Sequence, residues 1–388
     1  MKSNKRGISR RSFCGGVAAL SGAAILGSCS GSGEQSDIIS NASLSPADGG
    51  HHPVKKAATQ VPKRKLGNTG LEVSVLSFGG GSNFTNVPDG TWEPLIQRAY
   101  DLGINYYDTA ADYRGSGFGA TSQVRYGTFF TADKRKNVYL GTKLNLGTDG
   151  TSYTRNFSIT KAATEAQLDA ALTELNTDYL DFLGLHELND GDDIDKIGNG
   201  IWQYYKDFKT AGKVRFIGFS GMDSGAKAQE FLTKLDPDIC IMALSVTGYK
   251  AFSTLALPVA VSKNVGVMGI KLTKGILNVN PPLATPLECI SYGLTTLKGV
   301  SSVIIGHRNG LTDLEQNATL ATQVATASSV INTAELERRM APYANDKHLC
   351  WAHPDYRDDG MSYELRNGNL VYEDTGEIVK RNRNNRIA

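Results

Sequence analysis

Eight short β-branched runs alternate with eight helix-patterned stretches along most of this chain, and that alternation leaves few folds open. The runs fall at 73–78, 104–108, 138–143, 179–185, 214–219, 238–244, 265–270 and 301–306. The stretches near 91–102, 120–128, 158–176, 194–211, 223–235, 251–263, 284–298 and 310–323 carry apolar residues at helical spacing. Within Ile159–Leu175, for example, Ala163, Ala166, Leu168, Ala171, Leu172 and Leu175 form an apolar stripe. Strands separated by a helix pair in parallel, since a tight turn cannot join parallel neighbours. The expected fold is therefore α/β, an eight-stranded (β/α)8 TIM barrel. A doubly wound open sheet is the alternative. Its dinucleotide-binding form needs G-x-G-x-x-G after the first strand, whereas Gly79-Gly80-Gly81 reads as a turn.

The segment Lys65–Val73 predicts a hairpin that caps the barrel floor, and Ala334–Ala344 predicts one further helix. The barrel then spans 62–325, with a C-terminal helix and extension over 326–388. In that extension Asn367-Gly368 marks a hairpin turn. Residues 30–61 are rich in Ser, Gly, Asn, Ala and Asp and read as a flexible linker. Ahead of them, Arg10-Arg11 precedes a mild apolar run from Val17 to Leu26, a pattern that resembles a twin-arginine export signal. Leu26-Gly27-Ser28-Cys29 resembles a bacterial lipoprotein cleavage box, in which Cys29 would be acylated. The run falls short of the roughly 20 residues that span a bilayer. Residues 1–29 are thus expected to be a signal peptide. The mature chain is expected to be an exported bacterial lipoprotein, held by a lipid anchor on the periplasmic or cell-envelope side of a membrane.

Of five cysteines, Cys240, Cys289 and Cys350 would remain unmodified, widely spaced and without C-x-x-C. That predicts neither a metal site nor a disulfide framework. Cys240 lies in an apolar run and reads as a core residue. The 41 basic and 39 acidic residues nearly cancel, and no basic face stands out, which argues against a nucleic-acid partner.

Polar residues cluster at the ends of three consecutive runs. Asp108 ends the second, with Tyr113 in the loop beyond it; Lys143 ends the third and His186 the fourth. In a parallel barrel the carboxyl ends of the strands carry the chemistry, so these four residues share one sector of the mouth. They suit carbonyl reduction. Hydride arriving at carbonyl carbon pushes negative charge onto oxygen, which must be stabilised or protonated. A tyrosine can donate that proton, but its ordinary pKa of about 10 is high for neutral operation. Lys143 would favour the phenolate, Asp108 would hold Lys143, and His186 would orient the carbonyl. Asp112 reads as a solvated loop residue.

On these residues, and on the segments Gly103–Ala110, Asp178–Asp181, Gly212–Ser220 and Leu314–Asn317, the chain from 62 to about 325 resembles the aldo-keto reductase family. Asp108, Tyr113, Lys143 and His186 match its catalytic tetrad. The resemblance implies a nicotinamide dinucleotide bound across the barrel mouth. It places Ser220 near the nicotinamide carboxamide, with Lys271, Leu272 and Lys274 at the pyrophosphate. Gly306, His307 and Arg308 would follow the last strand, and Gln316 and Asn317 would meet the adenine. Arg308, where a 2′-phosphate would lie, favours NADP over NAD. Gly221 and Ile241 depart from the family's carboxamide-binding asparagine and glutamine. Phe84, Trp92 and Tyr249 are candidate walls for a small-molecule carbonyl or sugar substrate, with Trp351, His353 and Tyr356 in the tail.

The leading expectation is an NADP-dependent oxidoreductase with Tyr113 as proton donor. Export adds a second: a retained cofactor, reduced and reoxidised in one cycle of epimerisation or elimination on a sugar. A non-catalytic nucleotide-binding barrel is the rival from another class. A barrel hydrolase would need clustered carboxylates or metal ligands, which the sequence lacks.

Overall fold

Two short strands, β1 (Lys63–Lys65) and β2 (Glu72–Ser74), pair antiparallel with Lys63 opposite Ser74. Their hairpin buries Leu66, Leu71 and Val73 against Tyr106, Phe182, Ile239 and Met268, side chains of the barrel interior. It therefore plugs one end of the barrel. The structure is a computed structural model that describes residues 60–113, 121–147, 155–277, 281–326, 331–345, 348–349, 363–366 and 369–372. Cys29, nearly all of the linker, Cys350, Trp351, His353 and Tyr356 lie outside the described residues.

The barrel follows. Its strands are β3 (Leu76–Gly79), β4 (Tyr106–Asp108), β5 (Tyr139–Leu144), β6 (Leu180–Leu188), β7 (Val214–Gly221), β8 (Ile239–Ala243), β9 (Gly266–Ile270) and β10 (Val300–Ile305). Each pairs in parallel with its sequence neighbour, and β10 closes on β3 through Val303 opposite Leu76. The first expected run, 73–78, divides between hairpin and barrel. Val75 donates its N–H to the Pro62 carbonyl and accepts from Val303, so the chain leaves one sheet and enters the other at that residue.

Helices start where a side chain satisfies the free amides of the first turn. Thr160 caps Lys161–Glu174, Ser224 caps Gly225–Lys234, and Thr285 forms a capping box with Glu288 on Pro286–Ser291. The face that Lys161–Glu174 buries consists of Thr164, Leu168 and Ala171, continued by Leu175. Ala163 and Ala166 are exposed, a correction to the sequence stripe. Thr164 can be buried because its hydroxyl donates to the Thr160 carbonyl at 3.0 Å.

Past the barrel, the helix Thr333–Met340 begins one residue before the expected position and ends four earlier. It packs Leu336 and Met340 against Val246, Ile276, Cys289 and Tyr292. Strands β11 (Tyr363–Arg366) and β12 (Asn369–Tyr372) pair antiparallel across residues 367–368. Cys240 and Cys289 are free and buried, and burial raises both thiol pKa values. No helix among the described residues is long and apolar enough to cross a membrane.

Candidate active site

Register decides which side chains meet at the mouth. Asp108, the last residue of β4, pairs with Gly79 of β3 and Gly141 of β5. Beyond it the chain keeps following β5: Thr109 N–H donates to the Gly141 carbonyl at 2.8 Å, and Ala111 N–H to the Lys143 carbonyl at 2.9 Å. A turn closed by Tyr113 N–H on the Ala110 carbonyl then swings Tyr113 over the opening. Gly80 permits the close approach on the other side. A Cβ there would meet the Asp108 carbonyl oxygen at 2.4 Å and the Tyr126 hydroxyl at 2.5 Å.

Lys143 is 1% exposed, yet each of its three protons has an acceptor. Its ammonium donates to both Asp108 carboxylate oxygens, at 2.8 and 2.9 Å, and to the Thr109 carbonyl at 2.7 Å. A buried ammonium persists only with such compensation. It lies 5.1 Å from the centre of the Tyr113 ring. The His186 ring meets Tyr113 edge to face, with centroids 5.6 Å apart. The structure thus brings Asp108, Tyr113, Lys143 and His186 together.

His186 stands between two carboxylates. Its Nδ1 is 3.2 Å from Asp112 and its Nε2 is 3.5 Å from Glu187. Asp112 is therefore not the solvated loop residue the sequence suggests. The same turn that delivers Tyr113 tucks it against the imidazole. Glu187 reaches the site through a register shift in β6 between Leu185 and Leu188, with a left-handed φ of +50°. Bulges of this kind re-aim a side chain. Several hydrogen bonds hold the strained backbone: Glu187 N–H donates to Ser220 Oγ at 3.4 Å, the Asn189 amide donates to the Glu187 carbonyl at 3.0 Å, and buried Arg155 donates to the His186 carbonyl at 2.7 Å. Arg155 is itself fixed by Asp192 at 3.0 Å.

Asp108, Tyr113, Lys143, Glu187 and Ser220 line a cavity of about 140 Å³, together with Ile241, Lys271, Leu272 and Gly306. A second cavity of about 490 Å³ is lined by Arg308, Asp313, Gln316 and Asn317 among others. Asn83, Thr273, Lys274, Ile305 and Gly306 belong to both walls, so the two form one groove running out from the tetrad. Gly306 keeps that groove open, since a Cβ there would meet the Asn83 amide at 2.8 Å.

The groove fits an extended dinucleotide. Lys271, Lys274 and Arg308 offer positive charge for phosphates, and Ser220 offers a hydroxyl beside the tetrad. Ile241 presents only hydrocarbon there. His307 departs from the expected set. It is buried against Phe78 rather than in the groove wall, and desolvation lowers its pKa to about 4. Its Nδ1 lies 3.4 Å from the Asn317 amide, so it touches a groove residue from behind.

Phe84, Trp92 and Tyr249 also lie outside the wall. Helix Ser82–Thr85 folds back so that Phe84 packs on Phe78, Trp92 and Tyr126. Arg125 covers both the Phe84 and Trp92 rings, at 5.3 and 5.8 Å. Burial of large rings against one another and a guanidinium outweighs a place in the cleft. Tyr249 is half-buried on the main core under Lys250. Asn83, Thr273, Asp112 and Glu187 were missed. Glu187 lies beyond the expected run 179–185 and joins the site because β6 continues to Leu188.

Comparison with known proteins agrees with this geometry. The profile of the Aldo/keto reductase family matches residues 75–280, more than half of the 388-residue chain. L-Galactose dehydrogenase of Arabidopsis thaliana is 28% identical over 327 residues, covering 76% of this chain and 98% of that protein. D-threo-Aldose 1-dehydrogenase of a Pseudomonas species is 25% identical, covering 55% of this chain and 70% of that protein. Among solved structures, an aldo-keto reductase from Bacillus halodurans in its holo form superposes with a TM-score of 0.57 at 20% identity, covering 74% of this chain and 97% of that one. With its closed parallel barrel and its strand-end cluster, this chain belongs to the aldo/keto reductase family and is an oxidoreductase.

Proposed function

We propose that the protein is an NADP-dependent oxidoreductase that interconverts an alcohol and a carbonyl on a sugar, with Tyr113 as proton donor. The observation that carries this reading is Lys143, a buried ammonium saturated by Asp108 and Thr109 and fixed beside the Tyr113 ring. The hydride would come from a nicotinamide bound in the groove. As the carbonyl oxygen gains negative charge, the Tyr113 O–H bond breaks and its proton goes to that oxygen. The phenolate left behind faces the Lys143 charge, and His186 donates a hydrogen bond that holds the reacting oxygen in line. Ser220 would hold one end of the cofactor, and Lys271, Lys274 and Arg308 would take its phosphates.

The sugar assignment is supported by two relatives named as sugar dehydrogenases. A panel of aldoses with NADP+ and NAD+ tests it. Turnover of simple aldehydes without any aldose would remove the sugar, and equal use of the two nucleotides would remove the NADP preference. Arg308→Leu is expected to weaken NADP binding about tenfold or more and NAD binding far less, read by fluorescence titration.

Arg10-Arg11 and Cys29 support a second part of the reading, an exported lipoprotein that carries its nucleotide with it. Protein made with residues 1–29 intact is expected to take up labelled fatty acid, to lose it in Cys29→Ser, and to release nicotinamide nucleotide on denaturation. An unlabelled chain would overturn the anchor, and an empty one the retained cofactor.

A further inference from the structure

We propose that Asp112 and Glu187 are positioning residues that hold His186 as an imidazolium, so that two cationic groups, Lys143 and His186, act on the reacting oxygen. The proposal rests on the reading of Tyr113 as proton donor and extends it to the neighbouring groups.

The geometry is that of a histidine clamped from both ring nitrogens. Asp112 Oδ1 stands 3.2 Å from Nδ1 and Glu187 Oε1 stands 3.5 Å from Nε2. A neutral imidazole carries one N–H and cannot donate to both sides; the imidazolium carries two. Both carboxylates are largely shielded from water, with side chains 14% and 7% exposed, so their attraction is weakly screened.

Among the described residues, the titratable groups that face the ring come from three neighbouring segments. Asp112 and Tyr113 face it from the segment after β4, Lys143 from β5, and Glu187 from β6 itself. Arg155 meets the His186 main-chain oxygen and is matched by Asp192. Burial is the largest influence on the ring and opposes its charge, as does Lys143. The Asp112 charge and hydrogen bond, with the Glu187 charge, outweigh them, and the His186 pKa stands above its ordinary value.

The arrangement is also built rather than incidental. Glu187 reaches Nε2 only through the β6 bulge and a left-handed backbone, which a non-glycine residue adopts at some strain. Arg155 and Ser220 hold that backbone in place. At 3.5 Å, Glu187 is at the outer edge of hydrogen-bonding distance. Glu187 lines the cavity and the His186 ring lies buried behind it, so the imidazolium charge acts on an oxygen bound there from just behind the wall.

Asp112→Asn keeps the shape and removes the charge. The protein is labelled with ¹³C-histidine, and His186→Gln identifies the ring signal among the six histidines. In the unmodified protein that signal is expected to titrate above the usual histidine range. In Asp112→Asn the midpoint is expected to fall by about one unit, which corresponds to about tenfold less kcat/KM for carbonyl reduction above both midpoints and no change well below them. Glu187→Gln should shift both readouts in the same direction. A neutral His186 at pH 7 in the unmodified protein would overturn the proposal without any variant. So would an Asp112→Asn protein whose midpoint and pH profile stay in place. Failure of the underlying reading looks different: Tyr113→Phe would then retain turnover whatever the His186 titration shows.

Discussion

Tyr113→Phe is expected to lower turnover by about 10²- to 10⁴-fold, the usual contribution of a positioned proton donor. The loss should fall on kcat. The phenol proton is needed only as negative charge builds on the substrate oxygen, and interactions made only in the transition state leave ground-state binding intact. Structure should change little. The Tyr113 ring packs edge-on against His186 and under Lys143, and phenylalanine keeps those ring contacts. Nucleotide titration and thermal unfolding should therefore match the unmodified protein while progress curves with reduced nicotinamide nucleotide flatten. A Tyr113→Phe variant that kept most of its turnover would move the proton donor elsewhere and revive the non-catalytic barrel.

Lys143→Met should strike both stability and activity. The Asp108 side chain is 6% exposed and loses the ammonium that contacts both of its oxygens. Breaking a buried pair from one side typically costs about 3–5 kcal/mol, because an uncompensated charge is left behind. Removing Lys143 also strands the Thr109 carbonyl, which accepts its third proton. For a barrel of this size each kcal/mol lowers Tm by roughly 2–4 °C. Urea midpoints would show the loss, and Asp108→Leu added to Lys143→Met should recover part of it, since the pair is then replaced rather than broken. Turnover should stay low in both. A single variant destabilised by under about 1 kcal/mol would mean that Asp108 finds water or protonates without strain.

The fold was legible because barrel strands and helices have different hydrophobic periods, and eight repeats of the contrast survive local ambiguity. Boundaries were less so. The run at 73–78 reads as one strand because Val73 and Val75 look alike, while the hydrogen bonds of Val75 divide it between two sheets. Placement at the ends of the expected runs likewise made Asp108, Lys143 and His186 visible, although β6 continues past His186 to Leu188.

Aromatic residues in loops carried no comparable signal. Phe84 and Trp92 look like pocket walls in sequence, but a loop that turns back converts them into core. His307 is a similar case, hidden by the packing of Phe78. Asp112 failed in the opposite direction. Next to a site residue, an acid in a loop reads as solvated, whereas the bond from Ala111 to the Lys143 carbonyl and the turn closed by Tyr113 on Ala110 bring it inward.

The sequence by itself determined the barrel, its capping hairpin and the grouping of Asp108, Tyr113, Lys143 and His186 at one sector of the mouth, because periodicity and strand polarity are local properties that repeat. Only the tertiary structure decided that the His186 ring sits between Asp112 and Glu187, and that the groove runs from Tyr113 past Gly306 to Arg308. Those outcomes depend on a bulge in β6, the path of a loop along β5 and a missing Cβ at Gly306. The loop sets Asp112 against a residue far away in sequence, the bulge re-aims a neighbour and the glycine leaves room between two segments, and no pattern along a single strand encodes any of the three.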